Sequence, residues 1–542
     1  VPMPEVRPSP DCFILVHGAH MNNLQNIDVA IPLGRLTVIT GVSGSGKSTL
    51  VEEVLVPSLR KRKPVGCEAV EGFGIKPILV DQSPIGRNPR SNPATYTKLS
   101  DIIRDFYAKS TGLSASHFSF NRPEGACTKC GGIGAIEVKM RYLPSAWILC
   151  SECDGQRFSD EVLSQCMIFD NRKLSIADFY KLSIAQAKTL FEQEFRLSSL
   201  KFKAAVRMLD ALVTVGLGYL RLGQPSPTLS GGEAQRVKLS KYLGRRSLSD
   251  RLLILDEPST GLHPKDLVGL VSVLDGLVKA GATIIVVEHN TDIIRAADWV
   301  IDLGPGAGPK GGKIIYAGPP RGLIEKKESV TGCALREEAS INPRAKAATG
   351  HPTKADYISI RNARANNLRN VNIDFTKRAF TVVTGVSGSG KSSLIRDVLE
   401  VEARRRFLET LSLYELQGIH EGPEAPVDSV TGLGVSASIT PSRQLYGLRS
   451  TVGTATEIHH HLAILLSTIG ERTCLGCGAR MMRDDEWTCP NCHNSAPIAK
   501  PRHFSSSTYT AACPRCHGVG TTQELVPEKL IVNQERPLCG GA

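Results

Sequence analysis

No stretch of this 542-residue chain approaches the roughly 18 uninterrupted apolar residues of a spanning helix, and no secretory signal opens it. A membrane span and export are therefore not expected, and the chain reads as cytoplasmic. Cysteine spacing suited to a disulfide scaffold is also missing. Ten of the 15 cysteines instead form five Cys-x-x-Cys pairs, Cys127/Cys130, Cys150/Cys153, Cys474/Cys477, Cys489/Cys492 and Cys513/Cys516. Matched pairs of this kind point to Zn²⁺ in a reducing compartment. Cys12, Cys67, Cys166, Cys333 and Cys539 stand alone and read as small buried apolar residues. With 41% apolar and 22% charged residues the chain is globular. Its net charge of +12 favours a polyanionic partner, nucleic acid being the obvious class.

What the chain has twice is a phosphate-cradling loop. Gly41-Val-Ser-Gly-Ser-Gly-Lys-Ser48 returns as Gly385-Val-Ser-Gly-Ser-Gly-Lys-Ser392, 344 positions later. Each copy follows an apolar run that predicts a strand, Leu36–Thr40 and Phe380–Thr384, and each opens into a helical pattern. Gly41, Gly44, Gly46 and their counterparts Gly385, Gly388 and Gly390 let backbone N–H groups turn onto phosphate oxygens. Lys47 and Lys391 reach the terminal phosphates, Ser48 and Ser392 are placed on Mg²⁺, and Thr49 and Ser393 complete the two loops. The repeat extends upstream, since His17-Gly-Ala-His-Met-Asn-Asn-Leu24 parallels Arg361-Asn-Ala-Arg-Ala-Asn-Asn-Leu368. A domain has been duplicated, and a nucleotide is the expected ligand.

Leu252-Leu-Ile-Leu-Asp-Glu257 predicts a buried strand with two carboxylates at its tip. Asp256 suits the Mg²⁺ shell, and Glu257 suits polarisation of the attacking water. Ser230, Gly231 and Gly232 stand at the mouth of an amphipathic helix, a second anion-binding terminus. The order P-loop, Gln82, Ser230-Gly-Gly-Glu233, Asp256-Glu257 and His289 resembles an ATP-binding cassette ATPase. That resemblance implies an α/β P-loop fold in tandem cassettes, with Gln82 sensing Mg²⁺ and water and His289 switching on the γ-phosphate. It also implies a Ser-Gly-Gly element closing over the P-loop of an opposing cassette.

Cys127/Cys130 and Cys150/Cys153, 19 residues apart, predict a four-thiolate zinc ribbon. Lys129, Lys139 and Arg141, with Arg122 and Arg157 nearby, are candidates for a DNA backbone. A ribbon between P-loop and Ser-Gly-Gly element, together with Asp81–Thr97, Phe118–Cys127 and Ala297–Pro305, resembles the C-terminal cassette of the UvrA family, the damage-sensing subunit of bacterial excision repair. Arg404–Ser412 and Arg449–Thr454 look like that family's N-terminal cassette. The resemblance implies a DNA-binding ATPase that recognises damaged double-stranded DNA, without nuclease activity of its own.

Four departures from the family's pattern stand out. The cassette order is reversed. Only 11 residues separate Cys477 from Cys489, where the family usually carries the segment that docks UvrB. Pro441 takes the place of the second sensing glutamine, with Gln444 nearest. No second Ser-Gly-Gly-Glu or Asp-Glu element follows Lys391, so either a head-to-tail homodimer lends Ser230 to Lys47 or the native protein continues past Ala542 and supplies the element itself. The missing docking segment favours an alternative, a UvrA-like drug self-resistance ATPase; a nucleotide-binding fragment with little turnover is a third reading. A second ribbon is expected from Cys489, Cys492, Cys513 and Cys516, with Cys474 and Cys477 either spare or competing for the metal. The expected divisions are 1–90 (nucleotide-binding part), 91–228 (ribbon and helical insert), 229–324 (Ser-Gly-Gly-Glu and Asp-Glu elements), 325–355 (linker) and 356–542 (partial second cassette with its ribbon).

Overall fold

A computed structural model of the chain describes residues 7–86, 88, 90–138, 146–169, 172–194, 200–243, 247–340, 356–409, 424–434, 436–439 and 449–522. They divide into two compact units, 1–437 and 438–542.

The first unit is built on a six-stranded sheet in the order 313–318, 299–304, 36–41, 283–287, 251–256 and 76–80. Its strands are parallel except the edge strand Lys313–Gly318. Runs such as Leu252–Leu255 and Thr283–Val287 are aliphatic or β-branched at every position because this sheet is covered on both faces. Helix Pro264–Lys279 lays Leu267, Leu270, Leu274 and Leu277 on one face, while Val54, Leu55 and Leu59 from the P-loop helix cover the other. The P-loop strand Leu36–Gly41 lies centrally, between Thr283–Val287 and Trp299–Gly304. A side sheet of Ile27–Pro32, Phe13–Ala19 and Ala69–Glu71 completes the nucleotide-binding half.

The segment 91–228 holds helices Ile176–Lys181, Ile184–Glu194 and Leu200–Thr214. Phe179, Phe191, Leu209 and Leu212 join its helices to the cassette core. The segment 325–355, expected as a linker, is helical in part. Val330–Ser340 is a helix, and Ser329 and Leu335 are buried against the cassette. Residues 341–355 of that expected linker lie outside the described residues.

The second module repeats the side sheet strand for strand: Val371–Thr376, Tyr357–Ala363 and Ser429–Thr431. Both P-loop helices open with π-helical turns, Thr49–Leu55 and Ser393–Glu400. The expected strand Phe380–Thr384 is absent. Those residues pair with no strand among the described residues, and Phe380 is 96% and Val382 68% exposed. The run has the apolar pattern of a central strand, but no strand among the described residues flanks it as Thr283–Val287 and Trp299–Gly304 flank Leu36–Gly41.

Candidate nucleotide and metal sites

Each P-loop is held by an Asn-Asn pair from the duplicated upstream turn. Asn22 Nδ2 donates to Thr49 Oγ1 at 3.3 Å and Glu53 Oε2 at 2.9 Å, and Asn23 Nδ2 to the Gly44 carbonyl at 3.1 Å. In the second copy Asn366 Nδ2 donates to Ser393 Oγ at 3.0 Å and Asp397 Oδ2 at 2.6 Å, and Asn367 Nδ2 to the Gly388 carbonyl at 2.7 Å. Lys47 Nζ donates to Gly41 O at 2.9 Å and Val42 O at 2.8 Å, and Lys391 makes the same two bonds to Gly385 and Val386. Burial pushes the Lys47 ammonium pKa down, opposed by Glu257, Asp302 and Asp256. Ser48 and Ser392 stand at their helix starts with hydroxyls that cap nothing.

The sheet brings the scattered first-site residues together. Asp256 ends a strand two places from the P-loop strand, and Glu257 follows with a left-handed φ of 43°, fixed by its N–H on the Val287 carbonyl at 2.9 Å. Gln82 Nε2 donates to Glu257 O at 3.2 Å and to Asp256 O at 3.4 Å. His289 follows Thr283–Val287, and its pKa is held below the usual histidine value by desolvation first and by Lys47 second.

Two organising residues carried no signal as isolated letters. Glu288 is buried beside His289 and accepts from Ser259 N at 2.8 Å, His289 N at 2.7 Å and Asn290 N at 2.9 Å, tying the loop after Glu257 to the backbone at His289. Gln235 Nε2 donates to Val80 O at 2.7 Å and Asp256 O at 3.0 Å, pinning the Ser230 helix to two strand ends. Glu288 is adjacent to His289, and Gln235 belongs to the Ser-Gly-Gly-Glu run, so neighbourhood was the available clue.

Ser230 caps helix Gly231–Ser240 in a reciprocal box with Glu233, whose backbone N–H donates to Ser230 Oγ at 3.3 Å while its carboxylate accepts from Ser230 N at 2.7 Å. Tyr219 OH donates to the same Glu233 carboxylate. The second P-loop rests here: a Cβ on Gly388, whose φ is 76°, would lie 2.7 Å from the Tyr219 ring. Ser387 N–H donates to Asp266 Oδ2 at 3.2 Å. The loop of Lys391 therefore packs beside the Ser230 helix within one chain.

The ribbon thiols Cys127, Cys130, Cys150 and Cys153 are buried and all lie within 4.8 Å of one another. Cys127 and Cys150 Sγ are 3.9 Å apart and Cys130 and Cys153 Sγ 3.7 Å, close to the ~3.8 Å edge of a tetrahedral zinc–thiolate shell. These donors fit zinc. The second cluster departs from the expected set: Cys489 and Cys492 converge with Cys474 and Cys477, not with Cys513 and Cys516. The 11 intervening residues fold into the hairpin Met482–Arg483 and Trp487–Thr488, which returns one knuckle onto the other. Cys474–Cys492 and Cys477–Cys489 Sγ separations are each 3.4 Å.

Of the DNA candidates, Lys129 is exposed and donates to Ser151 Oγ at 2.9 Å, while Lys139 and Arg141 lie outside the described residues, as do Pro441 and Gln444. Arg157 does not face solvent; it is buried with its guanidinium 5.3 Å over the Phe120 ring.

Comparison with known proteins follows the same outline. The chain is 46% identical over 358 residues to UvrABC system protein A of Thermus thermophilus, covering 64% of this chain and 36% of that protein. It is 43% identical over 351 residues to UvrABC system protein A of Aquifex aeolicus, covering 62% and 37%. The crystal structure of UvrA2 from Deinococcus radiodurans superposes with a TM-score of 0.56 at 43% identity, covering 62% of this chain and 40% of that one. The chain is a relative of UvrA. No family model matches it. The matches span little more than a third of the curated relatives' length, and the UvrA2 likeness gives the first unit an ATP-binding cassette fold. Among the described residues no helix is long and apolar enough to cross a membrane.

Proposed function

We propose that the chain is a UvrA-type ATPase that binds damaged or distorted double-stranded DNA and uses ATP to regulate that binding, as in nucleotide excision repair. The observation that carries this reading is the first site: Lys47, Gln82, Asp256, Glu257 and His289 arrive from separate strand ends at one P-loop. Lys47 and the loop amides bind the phosphates, Ser48 and Asp256 hold Mg²⁺, and Glu257 polarises the attacking water, with Gln82 and His289 orienting it. Lys391 and Ser392 bind a second nucleotide with Mg²⁺, and Ser230, Gly231 and Gly232 close over it. Two four-thiolate clusters hold Zn²⁺, and Lys129 lies on the ribbon that meets DNA. Distortion is read through deformability, because lesions share no hydrogen-bond code. The relatives' names favour this reading over drug self-resistance.

The Ser230 helix serves Lys391 in this reading, so a homodimer partner reaches Lys47 with its own Ser230 only by giving up its internal contact. Dimerisation and occupancy of the second site then compete. A UvrB-type partner would need a docking surface other than the short 478–488 segment. The test is twofold: steady-state phosphate release with and without DNA, and affinity for a duplex bearing one bulky adduct against its undamaged twin, each with ATP and with ADP. DNA-stimulated hydrolysis and nucleotide-dependent preference for the adduct are expected. Equal affinity for both duplexes under every nucleotide condition contradicts the repair reading.

A further inference from the structure

The contact between Ser387 and Asp266 places a carboxylate on the second phosphate cradle. Ser387 is the residue before Gly388 in the loop Gly385–Ser392, and its backbone N–H donates to Asp266 Oδ2 at 3.2 Å. Asp266 stands in the first turn of helix Pro264–Lys279, ten residues beyond the carboxylate tip at Asp256 and on the cassette that owns the first site. An oxygen of that carboxylate occupies a P-loop amide, the kind of donor that phosphate oxygens take. The first P-loop has no such guest, since among the described residues no carboxylate bonds Ser43. Its Gly44 meets Ala307 of its own cassette, where Gly388 meets Tyr219. Both Asp266 and the Tyr219–Glu233 pair come from the cassette opposite Lys391, so this carboxylate belongs to the contact between the two modules.

Resting on the reading of Lys391 as a nucleotide site, we propose that Asp266 is a gating residue for that site: its carboxylate holds the P-loop against the Ser230 helix, and a triphosphate must displace it. Two anions cannot share one amide donor without repulsion, and the penalty grows with phosphate charge. The second site therefore discriminates against ATP relative to ADP until the modules shift. Asp266→Asn keeps an oxygen that accepts from Ser387 N–H but removes the charge, so it separates gating from mere packing.

The experiment is done in the full chain carrying Lys47→Ala, so that binding reports on Lys391. Affinity for a non-hydrolysable ATP analogue and for ADP is measured by equilibrium fluorescence with and without Asp266→Asn. Loss of one charge-assisted competitor predicts about 5-fold or more tighter binding of the ATP analogue, with a smaller gain for ADP. Unchanged or weaker binding of the analogue in a variant that retains the parent's melting temperature overturns the gating role and leaves the nucleotide site standing. A variant with a lowered melting temperature is replaced by Asp266→Ser, judged on the same ATP-to-ADP ratio. Absence of any nucleotide binding in the Lys47→Ala parent overturns the reading of Lys391 itself, and this inference with it.

Discussion

The two P-loops have the same sequence and different surroundings. Their backbones agree closely, with φ of 131°, 75° and 105° at Gly41, Gly44 and Gly46 and 149°, 76° and 100° at Gly385, Gly388 and Gly390. The Asn-Asn turns and side sheets match as well. A Cβ on Gly41, however, would sit 2.0 Å from the Leu303 carbonyl oxygen of the neighbouring strand, whereas one on Gly385 would meet only its own loop, at Ser389 and Lys391. Leu36 is 2% exposed and its counterpart Phe380 is 96% exposed. A P-loop is thus specified locally by its glycines and its asparagine turn, while the strand before it exists only where neighbouring strands bury it.

The second unit shows the same contrast. Helix Leu99–Thr111 follows a four-residue helix with an Asn92–Thr95 capping box and starts from Lys98 at a φ of 65°. Helix Ile458–Ile469 follows a Thr451–Thr454 box and starts from Glu457 at 60°. Leu99, Ile103 and Tyr107 are buried, but Ile458, Leu462 and Leu466 face solvent. The local signals are duplicated, and among the described residues the covering layer is not.

The largest effect is expected at the acidic strand tip of the first site. Glu257→Gln lowers ATP turnover by about 100-fold or more, the scale of a positioned general base, while ATP binding persists. Phosphate release at the parent rate would remove Glu257 from the hydrolytic step. Next in size is a stability contrast between paired positions. Leu36→Ala costs about 2–5 kcal/mol, and Phe380→Ala stays within about 0.5 kcal/mol, as denaturant midpoints at constant slope will show. A large loss at Phe380 would reveal a covering layer in solution.

The ribbons allow a count. Cys150→Ser with Cys153→Ser releases one zinc of about two, Cys474→Ser with Cys477→Ser releases the other, and Cys513→Ser with Cys516→Ser releases none, measured by elemental analysis. Loss of zinc only in the last pair would restore the longer-spaced ribbon. The smallest effect concerns His289, whose pKa lies below its usual 6.5 because burial disfavours the cation and Lys47 repels it. In the unfolded chain the ring takes up a proton first, so its contribution to stability is present above the unfolded value and is lost as pH falls through it. Melting temperature should drop slightly less on going from pH 7.5 to 5.5 in His289→Gln than in the parent; an identical drop removes this group from the pH dependence.

Much of the first site was legible because its chemistry sits in contiguous motifs at strand ends, and the order of the motifs fixes the sheet that gathers them. Glu288 escaped notice because its role is to accept three backbone N–H groups, which depends on chain path and not on residue type. The second ribbon misled for a related reason. Cys489/Cys492 with Cys513/Cys516 repeats the spacing of the first ribbon, yet the hairpin between Cys477 and Cys489 makes the nearer pair the one in reach. Likewise Phe380–Thr384 has the composition of a buried strand, and composition cannot report whether a neighbour is there to bury it. Asp266 carried no signal because its partner, Ser387, is 121 residues away.

The central claim is that one P-loop belongs to a complete hydrolytic cassette and the other to a nucleotide-holding module seated on the Ser230 helix. Parallel measurement of bound nucleotide and turnover in Lys47→Ala and Lys391→Ala tests it most directly. Each variant should bind about one nucleotide fewer per chain, and only Lys47→Ala should abolish phosphate release. Full turnover in Lys47→Ala together with its loss in Lys391→Ala would contradict the account.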